Sequence, residues 1–174
     1  GEDIYAVYTG CLICVELLAC LSENGQKTES EFGGRMMEYR IATVSDCEVL
    51  TELRMWMRKE LDPDFNAELL YAKTLDFFKR NMESGTHIVF VCEHNGQIIA
   101  TVGITLFEIM PTTKYPNGRV ARLMNMYVDP FYRNRGIAKE LLNCVITYAE
   151  EHRIGKVMLN PSQMGKTLYE NYGF

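Results

Sequence analysis

The distribution of apolar residues changes its period several times along the chain. In "MMEYRIATVSD" the stretch "YRIAT" alternates apolar with polar, the two-residue repeat of a half-buried strand. Val49, Leu50, Leu53, Trp56 and Met57 then recur at helical spacing behind Ser45 or Asp46, either of which suits a helix cap. "LDPD" ends that helix, and Leu69, Leu70, Ala72, Leu75, Phe77 and Phe78 predict a second over roughly 66–83. The run "HIVFVCEHNGQIIATVGITLF" reads as two strands joined at Asn95-Gly96, the strongest short hairpin signal. "MPTTKYPNG" is a loop, and "ARLMNMYV" is a strand closed by Asp129-Pro130. Ile137, Leu141, Leu142, Val145, Ile146 and Ala149 mark an amphipathic helix. "KVMLN" is a short apolar strand, and "MGKTLYENY" predicts a last helix stopped by Gly173. The order is strand, two helices, hairpin, strand, helix, strand, helix. It predicts a mixed α/β (α+β) domain with an antiparallel half and one strand–helix–strand crossover.

Residues 1–35 follow a different pattern. "IYAVY" has strand character, "CLICVELLACL" reads as a buried helix, and "SENGQKTESEFGG" reads as a polar linker. The expected division is therefore an N-terminal extension or leader over 1–35 and a main domain over 36–174. The apolar run is interrupted by Glu16 and falls short of the ~18 residues a membrane span needs. "GEDIYAVYTG" is acidic where a signal peptide is basic, so the expected location is cytoplasmic. The net charge of −5 argues against nucleic acid as the main partner, because neutralising phosphates needs a basic face. Cys11, Cys14, Cys20, Cys47, Cys92 and Cys144 are scattered, mostly within apolar runs, as reduced thiols that pack as small hydrophobes are. Cys11-Leu-Ile-Cys14 lacks the second pair of a zinc site, and no metal is expected.

Two stretches have the placement of a phosphate cradle between strand and helix. In "NPSQMGKT" the first glycine of a P-loop is replaced by Asn160, and Pro161 removes an amide donor. That site is expected to be a decoy, and an ATP-binding module is the weakest functional reading. The second stretch is "YRNRGIAKELL". Backbone N–H groups at a helix start are unpaired and lie at the positive end of its dipole, which suits phosphate oxygens. Gly136 permits the turn, Arg133 and Arg135 bring charge, and Ala138 is small where a ligand presses close. An ordinary solvated basic turn would look the same over so few residues.

The context of that hexamer resembles motif A of the GCN5-related N-acetyltransferase (GNAT) superfamily: R/Q-x-x-G-x-G/A after a strand and opening a helix. The likeness runs through "MNMYVDPFYRNRGIAKELLNCVITYAEEHRIGKVMLNPSQMGKTLYENYGF" and covers about residues 37–174. It implies a mostly antiparallel twisted sheet with a central splayed parallel strand pair, flanked by helices. It also implies acetyl-CoA as cosubstrate, its pyrophosphate on the loop formed by Arg133, Asn134, Arg135, Gly136, Ile137 and Ala138, with Lys139 next. A bulged strand at Met126, Tyr127 and Val128 would pair with the pantetheine arm, and a bulge amide would steady the acyl oxygen. Asn160 and Ser162 would flank the cosubstrate. Tyr169, on the last helix, matches the superfamily's proton donor to the leaving thiolate, or else packs against the sulfur. Tyr172 is the second candidate for that task.

For the base that frees the acceptor amine, Glu108 is the first candidate, with Glu52 and Glu60 as rivals; Asn125 would orient the acceptor. His87, His94 and His152 show no partner pattern and are expected at the surface or at strand ends. The reading that follows is direct acetyl transfer to a primary amine, of a small molecule or a peptide N-terminus. The alternative is a CoA-binding sensor or partner module without catalysis. Acidic residues on the two early helices favour a cationic small molecule. Members of the superfamily continue past such a "YGF" into further strands that this sequence does not carry. Two readings account for this: "IYAVY" supplies the missing edge strand, within the chain or across a homodimer, or the C-terminus is truncated and the residues through "GGR" are a leader.

Overall fold

In the computed structural model, which describes residues 6–8, 28–32, 35–161 and 165–172, the predicted elements assemble around one sheet. The strands are β1 (Ala6–Tyr8), β2 (Thr28–Phe32), β3 (Arg35–Ile41), β4 (His87–His94), β5 (Gln97–Glu108), β6 (Arg119–Val128) and β7 (Lys156–Leu159). The helices are α1 (Cys47–Leu61), α2 (Ala67–Glu83), α3 (Ile137–Glu151) and α4 (Lys166–Glu170). The strands lie in the order β1-β7-β6-β5-β4-β3-β2. Every neighbouring pair is antiparallel except β6 and β7, which the α3 crossover makes parallel. Asn95 and Gly96 join β4 to β5 with φ of 54° and 74°, the left-handed pair that a tight hairpin turn requires.

Each face of the sheet carries its own core. On one side α3 buries Ile137, Leu141, Leu142 and Val145 against Val102 and Leu123. On the other, α1 and α2 bring Leu50 and Phe78 onto Val89 and Val91. The inward stripe of α1 differs from the predicted one. Val49 and Trp56 are exposed, at 40% and 52%, while Cys47, Leu50, Thr51 and Leu53 are buried. The helix is rotated so that its inward arc runs through positions 47, 50 and 54, and position 54 is an arginine.

The cap of α1 also departs from expectation. Asp46 precedes the helix without a forward cap bond. Its carboxylate accepts instead from Thr43 N (2.7 Å) and from both terminal nitrogens of Arg40 (2.8 and 3.1 Å). A short 3₁₀ turn, Val44–Asp46, occupies the place predicted for the helix start.

The polar stretch read as a linker contains β2, paired with β3 from Thr28↔Tyr39 to Phe32↔Arg35. Thr28, Ser30 and Phe32 alternate with Glu29 and Glu31, a period-two pattern masked by low hydrophobicity, and such acidic positions suit an exposed edge. At the opposite edge, β1 pairs with β7 through Ala6↔Leu159, Val7↔Met158 and Tyr8↔Val157. The predicted helix in "CLICVELLACL" lies outside the described residues. No helix among the described residues is long and apolar enough to cross a membrane.

Candidate active site

The local sequence of β6 creates two irregularities side by side. Thr101 faces Tyr127, but Gly103 faces Met124, so β6 holds one residue more than β5 over this interval. Asn125 is in the left-handed region with φ of 59°, a conformation asparagine tolerates better than most residues, and the extra residue is accommodated there. On the other side of β6, pairing with β7 is confined to Val120↔Lys156, Ala121↔Val157 and Arg122↔Met158. Beyond Arg122 the two parallel strands have parted. Main-chain groups of β6 from Leu123 to Val128 therefore have no β7 partner among the described residues.

The strand leads straight into the basic loop. Asp129 Oδ1 accepts from Phe131 N (2.9 Å), closing a 3₁₀ turn at Pro130–Tyr132. Asn134 and Gly136 then take φ of 61° and 81°, and Gly136 caps α3 with no side-chain hydrogen bond. Glu140 N is bonded to Gly136 O, so Ile137, Ala138 and Lys139 supply the amides at the open helix end. A Cβ built on Gly136 would meet nothing within 4 Å, which leaves clear space before those amides. An uncapped helix start, a left-handed turn and a parted strand pair together fit a ligand that has a diphosphate and an extended arm.

The two arginines of the loop divide their work differently from the sequence expectation. Arg133 turns back: Nε donates to Val128 O (2.9 Å) and Nη2 to both carboxylate oxygens of Glu60 (2.8 and 2.7 Å). Its guanidinium also lies 5.8 Å from the Tyr127 ring centre. It braces the loop against β6 and α1, and what residue 133 can offer a phosphate is its main chain. The Arg135 guanidinium lies over Tyr132, 5.4 Å from the ring centre. Tyr132 is itself fixed by a bond between its hydroxyl and His94 Nδ1 (3.0 Å).

Tyr169 on α4 is 6% exposed and packs into the α3-side core. Burial pushes its phenol up to about 12. Tyr172 donates to Asn143 Oδ1 (2.6 Å) and Lys139 O (3.3 Å), so its hydroxyl fastens α4 to α3. Asn160 is exposed just past β7, and Ser162 lies outside the described residues. In the former P-loop candidate, Lys166 pairs with Glu170 (3.7 Å) on a helix of only five residues.

A cavity of about 260 Å³ opens on the other face, beside the bulge. Arg54, Lys73, Phe77, His87, Met124 and Asn125 are among its walls, and no carboxylate of the described residues lines it. Arg54 Nη1 donates to Asn125 Oδ1 (3.0 Å). Burial, with the neighbouring Arg58 charge, lowers the Arg54 guanidinium from its ordinary value.

His87 opens a strand as expected, yet it is 2% exposed and not a surface residue. His87 Nδ1 shares a hydrogen bond with Thr105 Oγ1 (2.8 Å), which also lies 3.8 Å from Met124 Sδ. Burial first, and then the Arg54 charge, lower this imidazole to about 4. Room for the ring exists because residue 103 is glycine: a Cβ there would lie 2.7 Å from Cε1 and Nε2 of His87.

None of the carboxylates proposed as base reaches this cavity. Glu108 faces Arg119, five residues beyond Gly103 and ~17 Å along the strand from the bulge. Glu60 is engaged by Arg133, and Glu52 is exposed, two positions and ~200° around α1 from Arg54. Arg54 and His87 were missed as site residues. For Arg54 the signal was present: it is four residues after Leu50 and seven after Cys47, a cation in the inward stripe.

Comparison with known proteins agrees with this fold. The sequence profile described as the acetyltransferase (GNAT) family matches residues 50–174. A crystal structure described as a predicted acetyltransferase with acetyl-CoA, from Clostridium acetobutylicum, superposes with a TM-score of 0.72 at 30% identity, over 80% of this chain and 90% of that one. A GCN5-related N-acetyltransferase from Ralstonia eutropha gives 0.70 at 28% identity, over 79% and 92%. An uncharacterized N-acetyltransferase of Methanocaldococcus jannaschii is 31% identical over 56% of this chain and 43% of its own length. The chain spans about half the length of the curated relatives it matches.

Proposed function

The chain belongs to the acetyltransferase (GNAT) family, and from that premise we propose that it transfers the acetyl group of acetyl-CoA directly to a primary amine of a small molecule. The observation that carries this reading is the bulge at Asn125 beside the parted β6 and β7, leading into an uncapped α3 start. The amides of Ile137, Ala138 and Lys139, with the turn at Asn134 and Gly136, hold the pyrophosphate, and Arg135 adds charge. Met126, Tyr127 and Val128 present main chain to the pantetheine arm, and Asn160 and Ser162 flank it. Acetyl-CoA supplies an acyl thioester and a thiolate leaving group. The amide of Met126 or Tyr127 donates to the acyl oxygen as it gathers charge.

Tyr169 is the proton donor to the leaving sulfur. Its buried phenol stays protonated at any working pH, and transfer to a thiolate of pKa ~8.5 is feasible when the two are held close. The amine enters from the opposite face through the cavity at Asn125. His87 Nε2 accepts from it and orients it; an imidazole held so far below its ordinary value is a poor proton store, so the proton leaves through water. Residues 36–174 form the catalytic unit in this reading, with β1 from the N-terminal extension beside β7. The free thiols of Cys47, Cys92 and Cys144 support a reducing, cytoplasmic setting.

The test is release of free thiol from acetyl-CoA across a panel of amines spanning amino acids, amides, simple amines and polyamines. Turnover with at least one amine, abolished on omission of the chain, is expected. Binding of acetyl-CoA with no turnover on any amine would overturn the reading and return the non-catalytic sensor.

A further inference from the structure

The cavity at the bulge carries an imbalance of charge that the transfer chemistry does not require. Arg54 stands in the inward arc of α1, where Leu50 and Cys47 are buried, is itself half-buried, and lines the cavity. Its one hydrogen bond is to the neutral carboxamide of Asn125, and among the described residues no carboxylate pairs with it. A half-buried guanidinium whose remaining N–H groups are met only by water is well placed to take an anion that enters the cavity. Lys73 lines the same space and likewise has no ion pair among the described residues. The acids on and between the two early helices, Glu48, Glu52, Glu60, Asp62, Asp64, Glu68 and Asp76, are all exposed. The acidic tilt that favoured a cationic acceptor therefore belongs to the outer surface, and the inner surface is positive.

We propose that the acceptor is a small amino acid-like amine whose own carboxylate is bound by Arg54, with Lys73 at the entrance. The inference rests on the acetyl-transfer reading and narrows its substrate class. The planar guanidinium fork matches a carboxylate. Because Arg54 is bonded to Asn125 in the bulge itself, the anion is held within roughly 3 Å of the guanidinium and next to the amides that face the acyl group. Amine and carboxylate must then be separated by very few bonds, as in an α-amino acid. Phe77 and Met124 offer an apolar wall to its side chain. The volume of about 260 Å³ is below the ~300–1,000 Å³ of sites for larger ligands. A polyamine or aminoglycoside would meet two cations, and a peptide N-terminus carries no carboxylate beside its amine.

The experiment compares thiol release with L-methionine and L-phenylalanine, their carboxamides, the matching decarboxylated amines and spermidine. The free acids should exceed their amides and amines in kcat/KM by roughly 10- to 100-fold, chiefly through KM. Arg54→Gln should remove that preference for the acids, and Arg54→Lys should restore part of it. Equal or better turnover of the amides, amines or spermidine by the unmodified chain overturns this inference and leaves acetyl transfer standing. A preference for acids that persists in Arg54→Gln also overturns it. No thiol release with any amine, despite binding of acetyl-CoA, removes both readings together. The substrate series on the unmodified chain decides the matter even if an Arg54 variant fails to fold.

Discussion

Glu60 on α1 clasps Arg133 in the loop before α3, with both carboxylate oxygens within 2.8 Å of Nη2. The pair ties the helix on one face of the sheet to the loop before α3, where the pyrophosphate is proposed to bind. Glu60→Gln should therefore weaken acetyl-CoA binding by about three- to tenfold, measured by calorimetry. Thermal stability should change by no more than ~1 kcal/mol, because both groups are about one-third exposed. Unaltered affinity would show that the loop holds its shape without the clasp.

At Gly136 the two costs of a side chain separate. The Cβ of Gly136→Ala meets no protein atom, so the loss of stability should come from φ of 81° alone, at about 1–2 kcal/mol. Gly136→Val adds bulk where a diphosphate would approach the helix end. Its acetyl-CoA affinity should fall by at least ~100-fold, more than stability can explain. Equal affinities for the alanine and valine variants would count against the loop as the binding site.

Tyr169→Phe should lower kcat by ~100-fold or more while acetyl-CoA affinity stays within about threefold. A phenol raised to about 12 keeps its proton until pH approaches that value. The rate should accordingly show no alkaline fall from this group up to pH 10. A decline in kcat centred near 9 that vanishes in the phenylalanine variant would contradict the assignment.

His87 makes folding sensitive to acid in a defined window. The imidazole titrates near 6.5 in the unfolded chain and at about 4 in the folded one, so the unfolded state binds more protons between those values. Stability should fall as pH drops from 6.5 toward 4, by roughly 3 kcal/mol in all. It should be indifferent to this group above 7. Urea titrations at pH 7 and 4.5 measure the slope, and His87→Gln should flatten it.

The elements whose evidence is local were legible in the sequence. Asn95-Gly96 specifies its hairpin within two residues, and the α3 stripe, the turn after Asp129 and the position of Gly136 follow from adjacent signals. What was not legible depended on register or on partners distant in sequence. Glu108 follows "TVGITLF" as if at the edge of the slot, but antiparallel pairing with β6 carries it to Arg119, at the other end from the bulge. Arg133 looked like a phosphate ligand because its partner, Glu60, stands 73 positions earlier. His87 has no motif around it; its burial is created by Phe77, 5.1 Å away between ring centres, and by the missing side chain at Gly103. The strand at Thr28–Phe32 was hidden because edge strands are recognised less by hydrophobicity than by what they pair with.

The outermost pairing of the sheet joins segments far apart in sequence: Ala6 lies opposite Leu159, 153 positions further along. Closing so long a loop makes this pairing a late step of folding, so the β1 edge of the sheet is completed only after the strands between are in place.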